Sequence, residues 1–494
     1  MASRDRTLSA LARLVSGRVT GAGDPVVEDV THDSRAVTPG AMYVALRGAN
    51  ADGHRFVGEA ETGGAVAVCV DHDTGARVPQ LVVDDTRAVL GDLAAAIHDR
   101  PSSSLAVIGV TGTNGKTTVT HYIESIAGSC GVVTGLIGTI HTRFAGHVVE
   151  SSMTTPEASE FQRLLGEMRD AGVGLVAVEV SSHALEFGRV AATRFAVAAF
   201  TNLSQDHLDF HGDMRSYRAA KERLFSEYEV GTAVINVDDP VGAAIAADYG
   251  GQLIRVGVGA DVSVRDVTSR HRATEFTLDS PWGAATVTAP VTGGFNVTNL
   301  VMAAACCVVA GVDFGDVVAA MANVEGVPGR YEVVSGDDPI VVIVDYAHTP
   351  EAVATAVDTA RGLGPGRVIG LIGAGGDRDR AKRPDMGSAI SRADLAVVTS
   401  DNPRSEVPET IVAEVMAGVD PGSTHIVEID RRAAIDVAID AAEDGDVVLI
   451  LGRGHEPYQQ MAGERLPFDD RDVAAASLAR RRGGPRNRTP DRGA

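Results

Sequence analysis

The stretch GVTGTNGKTT, Gly109 to Thr118, closes the apolar run LAVIGV and leads into a helix-forming segment. A buried strand, a glycine turn and Lys-Thr-Thr at a helix start make a phosphate cradle. Backbone N–H groups and the positive end of the helix dipole face the anion, Lys116 adds a point charge, and the Thr117 hydroxyl can hold magnesium. The plain alternative is a glycine turn with an exposed lysine, and the apolar strand in front argues against it. The stretch misses the strict spacing G-x-x-x-x-G-K-[ST], which wants glycine at 110 where Val110 stands; the nearest glycines are Gly109 and Gly112.

Working outward, the 494 residues divide into three α/β blocks. Residues 1–100 hold the short strand candidates AMYVALRG, AVAVCVD and PQLVVDD and a closing helix TRAVLGDLAAAIHD, followed by RPSSS as a linker. Residues 101–327 form a central block built on the glycine loop. Its strands LAVIGV, GLVAVEV, AVAAFTNL and TAVINV alternate with helices, which predicts a parallel sheet. Within it, SVRDVTSRHRATEFTLDSPWGAATVTAPV alternates apolar and polar residues and predicts an antiparallel patch, and FNVTNLVMAAACCVVAGV predicts a helix. Residues 328–494 start near GVPGRYEVV and alternate strands PIVVIVDY, RVIGLIGA, DLAVVTSD, HIVEID and DVVLILG with helices. That predicts a second, Rossmann-like parallel sheet, without the G-x-G-x-x-G turn of a dinucleotide site.

A net charge of −22 argues against a nucleic-acid partner. Any anionic substrate must then be held by local arginines and helix ends. Aromatics are only 4% of residues, so Ala, Val and Gly supply much of the core. Cys69, Cys130, Cys306 and Cys307 show no C-x-x-C spacing and read as small buried core residues, which fits a reducing cytoplasm. No stretch reaches the ~18 uninterrupted apolar residues of a membrane span, so a cytoplasmic chain without membrane insertion is expected. The tail RRRGGPRNRTPDRGA reads as disordered.

Phosphoryl transfer needs metal ligands beside the loop. Glu179 ends the strand GLVAVEV at its carboxyl edge, where a parallel sheet opens its crevice. The next strand runs into TNLSQDHLDFHGD, with Asp206, His207, Asp209, His211 and Asp213 within eight residues. Some of these read as caps of the following helix. Lys221 in SYRAAKERLF, taken alone, reads as a solvated helix lysine.

In order along the chain, TGTNGKTT, EVSSHAL, TNLSQDHLDFHGDMRSYRAAKERLF, DYAHTP and GRGHE resemble the Mur ligases over essentially the whole length, and the MurE branch most closely. The loop form G-x-x-G-[ST]-x-G-K-[ST] is that family's own. The resemblance implies an ATP-dependent amide ligase acting through an acyl phosphate, with ATP and magnesium as cofactors, small-molecule substrates and a monomeric chain. It implies that Gly112, Thr113, Asn114, Gly115, Lys116, Thr117 and Thr118 hold the phosphates. Asn299, Arg330, Asp345 and His348 would line the ATP from the other side, and the third block would close on it. Thr117 and Glu179 would bind one magnesium ion and His207 a second. Lys116, His207 and Lys221 would carry the chemistry, Lys221 as a carbamate formed with carbon dioxide, which requires a desolvated, neutral amine. A UDP-sugar dipeptide would meet Ser34 and Asn50 in the first block. In the second it would meet Thr154, Thr155, Ser181 and Arg189. Some relatives carry glutamine where this chain has Phe187.

In the MurE branch, D-N-P-R goes with meso-diaminopimelate, and lysine-adding relatives lack the arginine. Here the run is Asp401, Asn402, Pro403 and Arg404. A turn explains Asn402 and Pro403 but not Arg404. An arginine can pair in a bidentate manner with the distal carboxylate that distinguishes meso-diaminopimelate from lysine. By the resemblance Arg378, Gly452 and Glu456 complete that pocket, with Glu456 taking the distal ammonium. Arg453 replaces the lysine of the usual G-K-G-H-E, a change without consequence if the side chain faces solvent. Three rivals stay open on the residues: the same ligase adding L-lysine, a folylpolyglutamate- or cyanophycin-type ligase, and an ATP-driven switch or inactive scaffold.

Overall fold

The computed structural model describes residues 6–48, 51–151, 153–270 and 272–483. Its contacts fall into two compact units that interleave along the chain. The first comprises Met1–Leu203, Arg215–Val262 and Met302–Ala320; the second comprises Ser204–Met214, Ser263–Val301 and Met321–Ala494.

The first unit contains two sheets. The N-terminal one has five strands in the order Arg18–Thr20, Gln80–Val82, Ala67–Val70, Ala41–Val44, Asp29–Thr31. Only the first pairing is antiparallel. Helices Leu8–Leu14 and Thr86–Ile97 cover it, burying Leu8, Leu11, Leu90, Leu93 and Ile97 against Met42, Val44 and Leu81. The RPSSS segment is not a loose linker. Pro101–Ser103 is a single tight turn with Pro101 and Ser102 buried, and the Ser102 hydroxyl accepts the Arg194 N–H at 3.1 Å.

The larger sheet has eight strands: Gln252–Val256, Glu229–Asn236, Arg194–Phe200, Ala106–Thr111, Leu175–Glu179, Thr134–Ile137, His141–Phe144 and His147–Glu150. The first six are parallel and the last two add an antiparallel hairpin. Ala106–Thr111 lies in the middle, with Leu175–Glu179 on one side and Arg194–Phe200 on the other. The chain therefore reverses its winding direction at the glycine loop, and that is where a doubly wound sheet opens a crevice. Buried on both faces, these strands read as continuous apolar runs rather than alternating ones.

In the second unit, Ser263–Ser269, Thr274–Ser280 and Gly283–Ala289 form the antiparallel patch. A six-stranded sheet follows the order Glu332–Val333, Val341–Asp345, Val447–Leu451, Val368–Ile372, Leu395–Val398, His425–Val427. It is parallel except for Glu332–Val333, so the GRYEVV strand is an antiparallel edge and not part of the parallel run. A small hairpin pairs Tyr458–Met461 with Glu464–Pro467. Arg480–Arg482 of the tail continue the last helix, Asp470–Gly483, whereas 484–494 lie outside the described residues. Cys69, Cys306 and Cys307 are buried, but Cys130 is half-buried; all four are free thiols. Among the described residues no helix is long and apolar enough to cross a membrane.

Candidate active site

In the first unit the phosphate loop is tied down by the neighbouring strand. Thr113 N–H donates to Asn202 O at 2.8 Å, Asn114 N–H to Asn202 Oδ1 at 2.9 Å, and Thr201 Oγ1 to Asn114 O at 2.6 Å. Gly112 has φ 147° and Gly115 φ 86°, backbone that a side chain would strain. Lys116 and Thr117 open the helix Lys116–Ser129, and Thr118 is buried behind them. Lys116 Nζ donates to Gly112 O at 2.9 Å and to Thr113 O at 2.8 Å. Lys221, from the helix Met214–Ser226, donates to the same Gly112 carbonyl at 2.7 Å. It is 1% exposed and lies 4.5 Å from the centre of the Tyr217 ring, whose hydroxyl is 3.1 Å from Thr113 Oγ1. The lysine that reads in isolation as solvated is thus in the loop's core.

Glu179 is 0% exposed. It accepts Thr117 Oγ1 at 2.8 Å, Thr139 N–H at 2.7 Å and Thr139 Oγ1 at 3.1 Å. Gly138 leaves room for that carboxylate, since a Cβ there would stand 2.4 Å from Glu179 Oε1. Thr139 passes the chain on to Thr154 Oγ1 at 3.1 Å. Thr155 Oγ1 donates to Glu179 O at 2.7 Å and accepts Ser181 N–H at 3.2 Å. Arg189 donates to Thr155 O at 3.3 Å and to Glu157 Oε1 at 3.0 Å. The four second-block residues Thr154, Thr155, Ser181 and Arg189 therefore form one hydrogen-bonded chain with Glu179. Phe187 has two guanidinium groups near its ring, Arg87 at 5.1 Å and Arg189 at 5.5 Å from its centre. Both arginines pair with Glu157. Ser34 starts the one-turn helix Ser34–Ala36, half-buried, behind an Asp33 that caps Arg35 N–H. Asn50 lies outside the described residues. Sequence reasoning missed His32, whose Nδ1 is 3.0 Å from Ser159 Oγ and links that turn to the second block.

The remaining candidates belong to the second unit. Asp345 ends its strand and accepts Tyr331 N–H at 2.7 Å and Ala347 N–H at 2.9 Å. Burial pushes its carboxyl above the usual range, against the pull of Arg330. Arg330 stacks over Tyr346 at 4.1 Å, and His348 Nδ1 is 2.8 Å from Tyr346 O. Asn299 is buried, with its amide donating to Asn296 Oδ1 at 3.3 Å. His207 adopts φ 54° while its N–H donates to Asp206 Oδ1 at 3.0 Å. Asp206 also faces His348 Nε2 at 3.5 Å and Lys382 Nζ at 3.6 Å. Despite burial, the hydrogen bond to His348 and the charge interactions with His348, His207 and Lys382 hold its carboxyl well below the usual range. Asp206 reads from sequence as one of a run of metal-capable side chains, and Lys382 carries no signal; only the tertiary fold joins residues so far apart in the chain.

At the carboxyl ends of the parallel strands, Asp401 to Arg404, Gly452 to Glu456 and Gly375 to Arg378 converge. Asn402 Nδ2 donates to Glu456 Oε2 at 2.6 Å. Gly452 (φ 112°) leaves space for Asp401, whose Oδ2 a Cβ would meet at 2.6 Å. Gly376 N–H donates to Asn402 O at 2.9 Å, and Arg404 Nη1 to Gly376 O at 2.6 Å. Pro403 lies against Gly376, leaving no room for a side chain there. Arg378 projects from this turn, exposed. Behind it, Arg383 is 0% exposed and bonds Glu406, Glu414 and Gly375 O. Glu406 is held down to about 2 by that guanidinium. Arg453 does not face solvent: it is fully buried, which removes the condition under which its replacement of lysine would have no consequence.

Family models match in chain order: a Mur ligase family catalytic domain over residues 26–98, the Mur ligase middle domain over 110–307, and the Mur ligase glutamate ligase domain over 329–454. A UDP-N-acetylmuramoyl-L-alanyl-D-glutamate–2,6-diaminopimelate ligase of Gloeobacter violaceus is 45% identical, covering 92% of this chain and 94% of its own. The chain belongs to the Mur ligase family. A ligase of the same name from Geobacillus thermodenitrificans is 43% identical over 96% of this chain and 99% of its own. A solved structure, also of a UDP-N-acetylmuramoyl-L-alanyl-D-glutamate–2,6-diaminopimelate ligase, is 32% identical, with a TM-score of 0.67 over 92% of this chain and 96% of its own. As a Mur ligase, the chain is an ATP-dependent enzyme that forms amide bonds.

Proposed function

We propose that this Mur ligase adds meso-diaminopimelate to UDP-N-acetylmuramoyl-L-alanyl-D-glutamate, producing ADP and phosphate, as a cytoplasmic step of peptidoglycan precursor synthesis. The observation that carries the reading is the pocket in which Arg404 and the Asn402–Glu456 pair stand together at the carboxyl ends of the third-block strands. A guanidinium and a carboxylate suit a distal centre that bears both a carboxylate and an ammonium. Arg378, Asp401, Pro403 and Gly452 complete that pocket. Lysine lacks the distal carboxylate and would leave Arg404 without its partner.

The side-chain carboxylate of the dipeptide's terminal D-glutamate takes the γ-phosphoryl group of ATP, releasing ADP, and the amine of the incoming amino acid then expels phosphate from the acyl phosphate. Gly112 to Thr118 hold the phosphates through loop N–H groups, Lys116 and the helix start, where negative charge concentrates in the transition state. Asn299, Arg330, Asp345 and His348 hold the nucleotide. The hydroxyl of Thr117 and the carboxylate of Glu179 are hard oxygen donors side by side, and they fit magnesium. His207 serves a second ion. Bound there, magnesium would neutralise phosphate charge. Lys221 is buried beside a second ammonium, and both conditions favour the neutral amine that carbon dioxide needs to form a carbamate. Ser34, Asn50, Thr154, Thr155, Ser181 and Arg189 bind the UDP-sugar end.

The test is phosphate release from ATP with the UDP-linked dipeptide, adding meso-diaminopimelate or L-lysine in parallel. Release that depends on meso-diaminopimelate, with the tripeptide product seen by mass, supports the reading. Release with lysine alone overturns the specificity. Release that ignores both amino acids favours an ATP-driven switch.

A further inference from the structure

Arg453 occupies a position where the family usually carries lysine, and the structure shows what the larger side chain does. Its Nη1 faces Asp470 Oδ1 at 3.4 Å, and Nη2 donates to Phe468 O at 3.1 Å and to Tyr458 O. Its Nε is 3.8 Å from Glu456 Oε2, and its plane lies 5.0 Å from the Phe468 ring centre. A lysine has one nitrogen and could not reach all of these together. The guanidinium thereby joins the Glu456 turn, the hairpin Tyr458–Met461/Glu464–Pro467 and the start of the last helix.

That hairpin in turn grips the Asp401–Arg404 loop. Gln459 Nε2 donates to Asp401 O, and Gln460 N–H to Asn402 Oδ1 at 2.7 Å. Arg404 N–H donates to Gln460 O at 3.0 Å, and Ala462 N–H to Arg404 O at 2.8 Å. Arg404 itself has φ 54°, a conformation a non-glycine residue keeps only where its surroundings enforce it. The last two bonds enforce it.

We propose that Arg453 is the positioning residue of the amino-acid pocket, holding both Glu456 and the hairpin that sets the geometry of Arg404. The inference rests on the reading of this pocket as the diaminopimelate site. Glu456 faces Asp401, Asn402, Arg404 and Arg453, with Tyr346 and Arg431 nearby. Burial and then Asp401 raise its carboxyl, and Arg453 acts against them. Arg404, Arg431 and Arg453 set three positive charges against the three carboxylates of Asp401, Glu456 and Asp470. An incoming distal centre, with one carboxylate for Arg404 and one ammonium for Glu456, leaves that balance unchanged. Without Arg453, Glu456 would hold a proton to higher pH and lose its capacity to accept that ammonium.

The experiment compares wild type, Arg453→Met, Arg453→Lys and Gln459→Ala in the full-length chain. It reads KM for meso-diaminopimelate, ATP and the UDP-linked dipeptide, and the pH profile of kcat/KM for meso-diaminopimelate. Arg453→Met is expected to raise the diaminopimelate KM by about tenfold or more while the ATP KM stays within about twofold. Its acid limb should move to higher pH, and Arg453→Lys, which keeps the charge, should restore that limb while the KM stays elevated. Gln459→Ala removes only the bond to Asp401 O. It should raise the diaminopimelate KM several-fold, roughly the value of one neutral hydrogen bond, and it answers the question where Arg453→Met does not fold. Equal rises in the ATP and diaminopimelate KM, or an unchanged diaminopimelate KM in every variant, would overturn the proposal. A wild type indifferent to meso-diaminopimelate would instead overturn the functional reading beneath it.

Discussion

Arg404 and His121 show how differently two side chains of one chain can be read. Arg404 is a charged residue that its turn does not need, and its guanidinium reaches the Gly376 carbonyl. Arg404→Ala should raise the diaminopimelate KM by about 10- to 100-fold, the value of a charge-assisted pair, and leave ATP binding nearly unchanged. Steady-state kinetics in each substrate check this, and equal losses in both would sink the specificity role. His121 carries no sequence signal at all. On the phosphate-loop helix its Nδ1 is 2.8 Å from Thr117 O, and burial pushes the imidazole down to about 4 from 6.5. The unfolded chain therefore binds a proton between those values while the folded chain does not. Stability from this group is complete above pH 6.5 and is lost as pH falls towards 4. The loss amounts to roughly 3 kcal/mol. Urea unfolding at pH 7 and pH 4.5 should show a smaller drop for His121→Gln than for wild type; parallel drops would refute it.

Among the elements, the phosphate loop was legible because its demands are local: glycines for a left-handed turn, an apolar strand before it, a lysine and hydroxyls after it. Its partner was not. A Cβ on Gly112 would stand 1.9 Å from Thr201 Oγ1, on the strand that follows Glu179 and its helix in the chain. Gly112→Ala should displace the carbonyl that both Lys116 and Lys221 use. It should weaken nucleotide binding more than tenfold and destabilise the fold by about 2 kcal/mol or more. Titration calorimetry with a non-hydrolysable ATP analogue checks the first effect; unaltered affinity would show that the loop tolerates the shift. Elsewhere local reading went astray where packing overrode composition. RPSSS has the residues of a linker, yet the Ser102 hydroxyl is needed by Arg194 N–H. Glu332–Val333, where the sequence reading places no strand, pairs antiparallel at a sheet edge. Cys130 follows a core-facing helix, yet sits half-exposed at its end.

For the whole molecule, two units with separate cores imply two cooperative unfolding events. Differential scanning calorimetry should resolve two transitions. Gly112→Ala should lower only the one belonging to the unit built on the eight-stranded sheet. A single transition lowered as a whole would show that the units unfold together. With a net charge of −22, anionic substrates depend on cations held at particular places in the fold. Arg383, Arg431 and Arg453 are fully buried among carboxylates and carbonyls, where their charges shape particular sites.

The chain by itself determined the α/β class, the run of strands and helices, the phosphate loop and the family, since each is written in short-range pattern: periodicity, glycine turns and motifs of adjacent residues. Only the tertiary structure decided which distant side chains share a hydrogen bond. It brought Lys221 to the Gly112 carbonyl across more than a hundred residues, Asp206 to His348 and Lys382, and Arg453 to Asp470 and Phe468. The physical reason is that a buried charge must find its partner wherever packing places one, and spacing along the chain carries no record of that encounter.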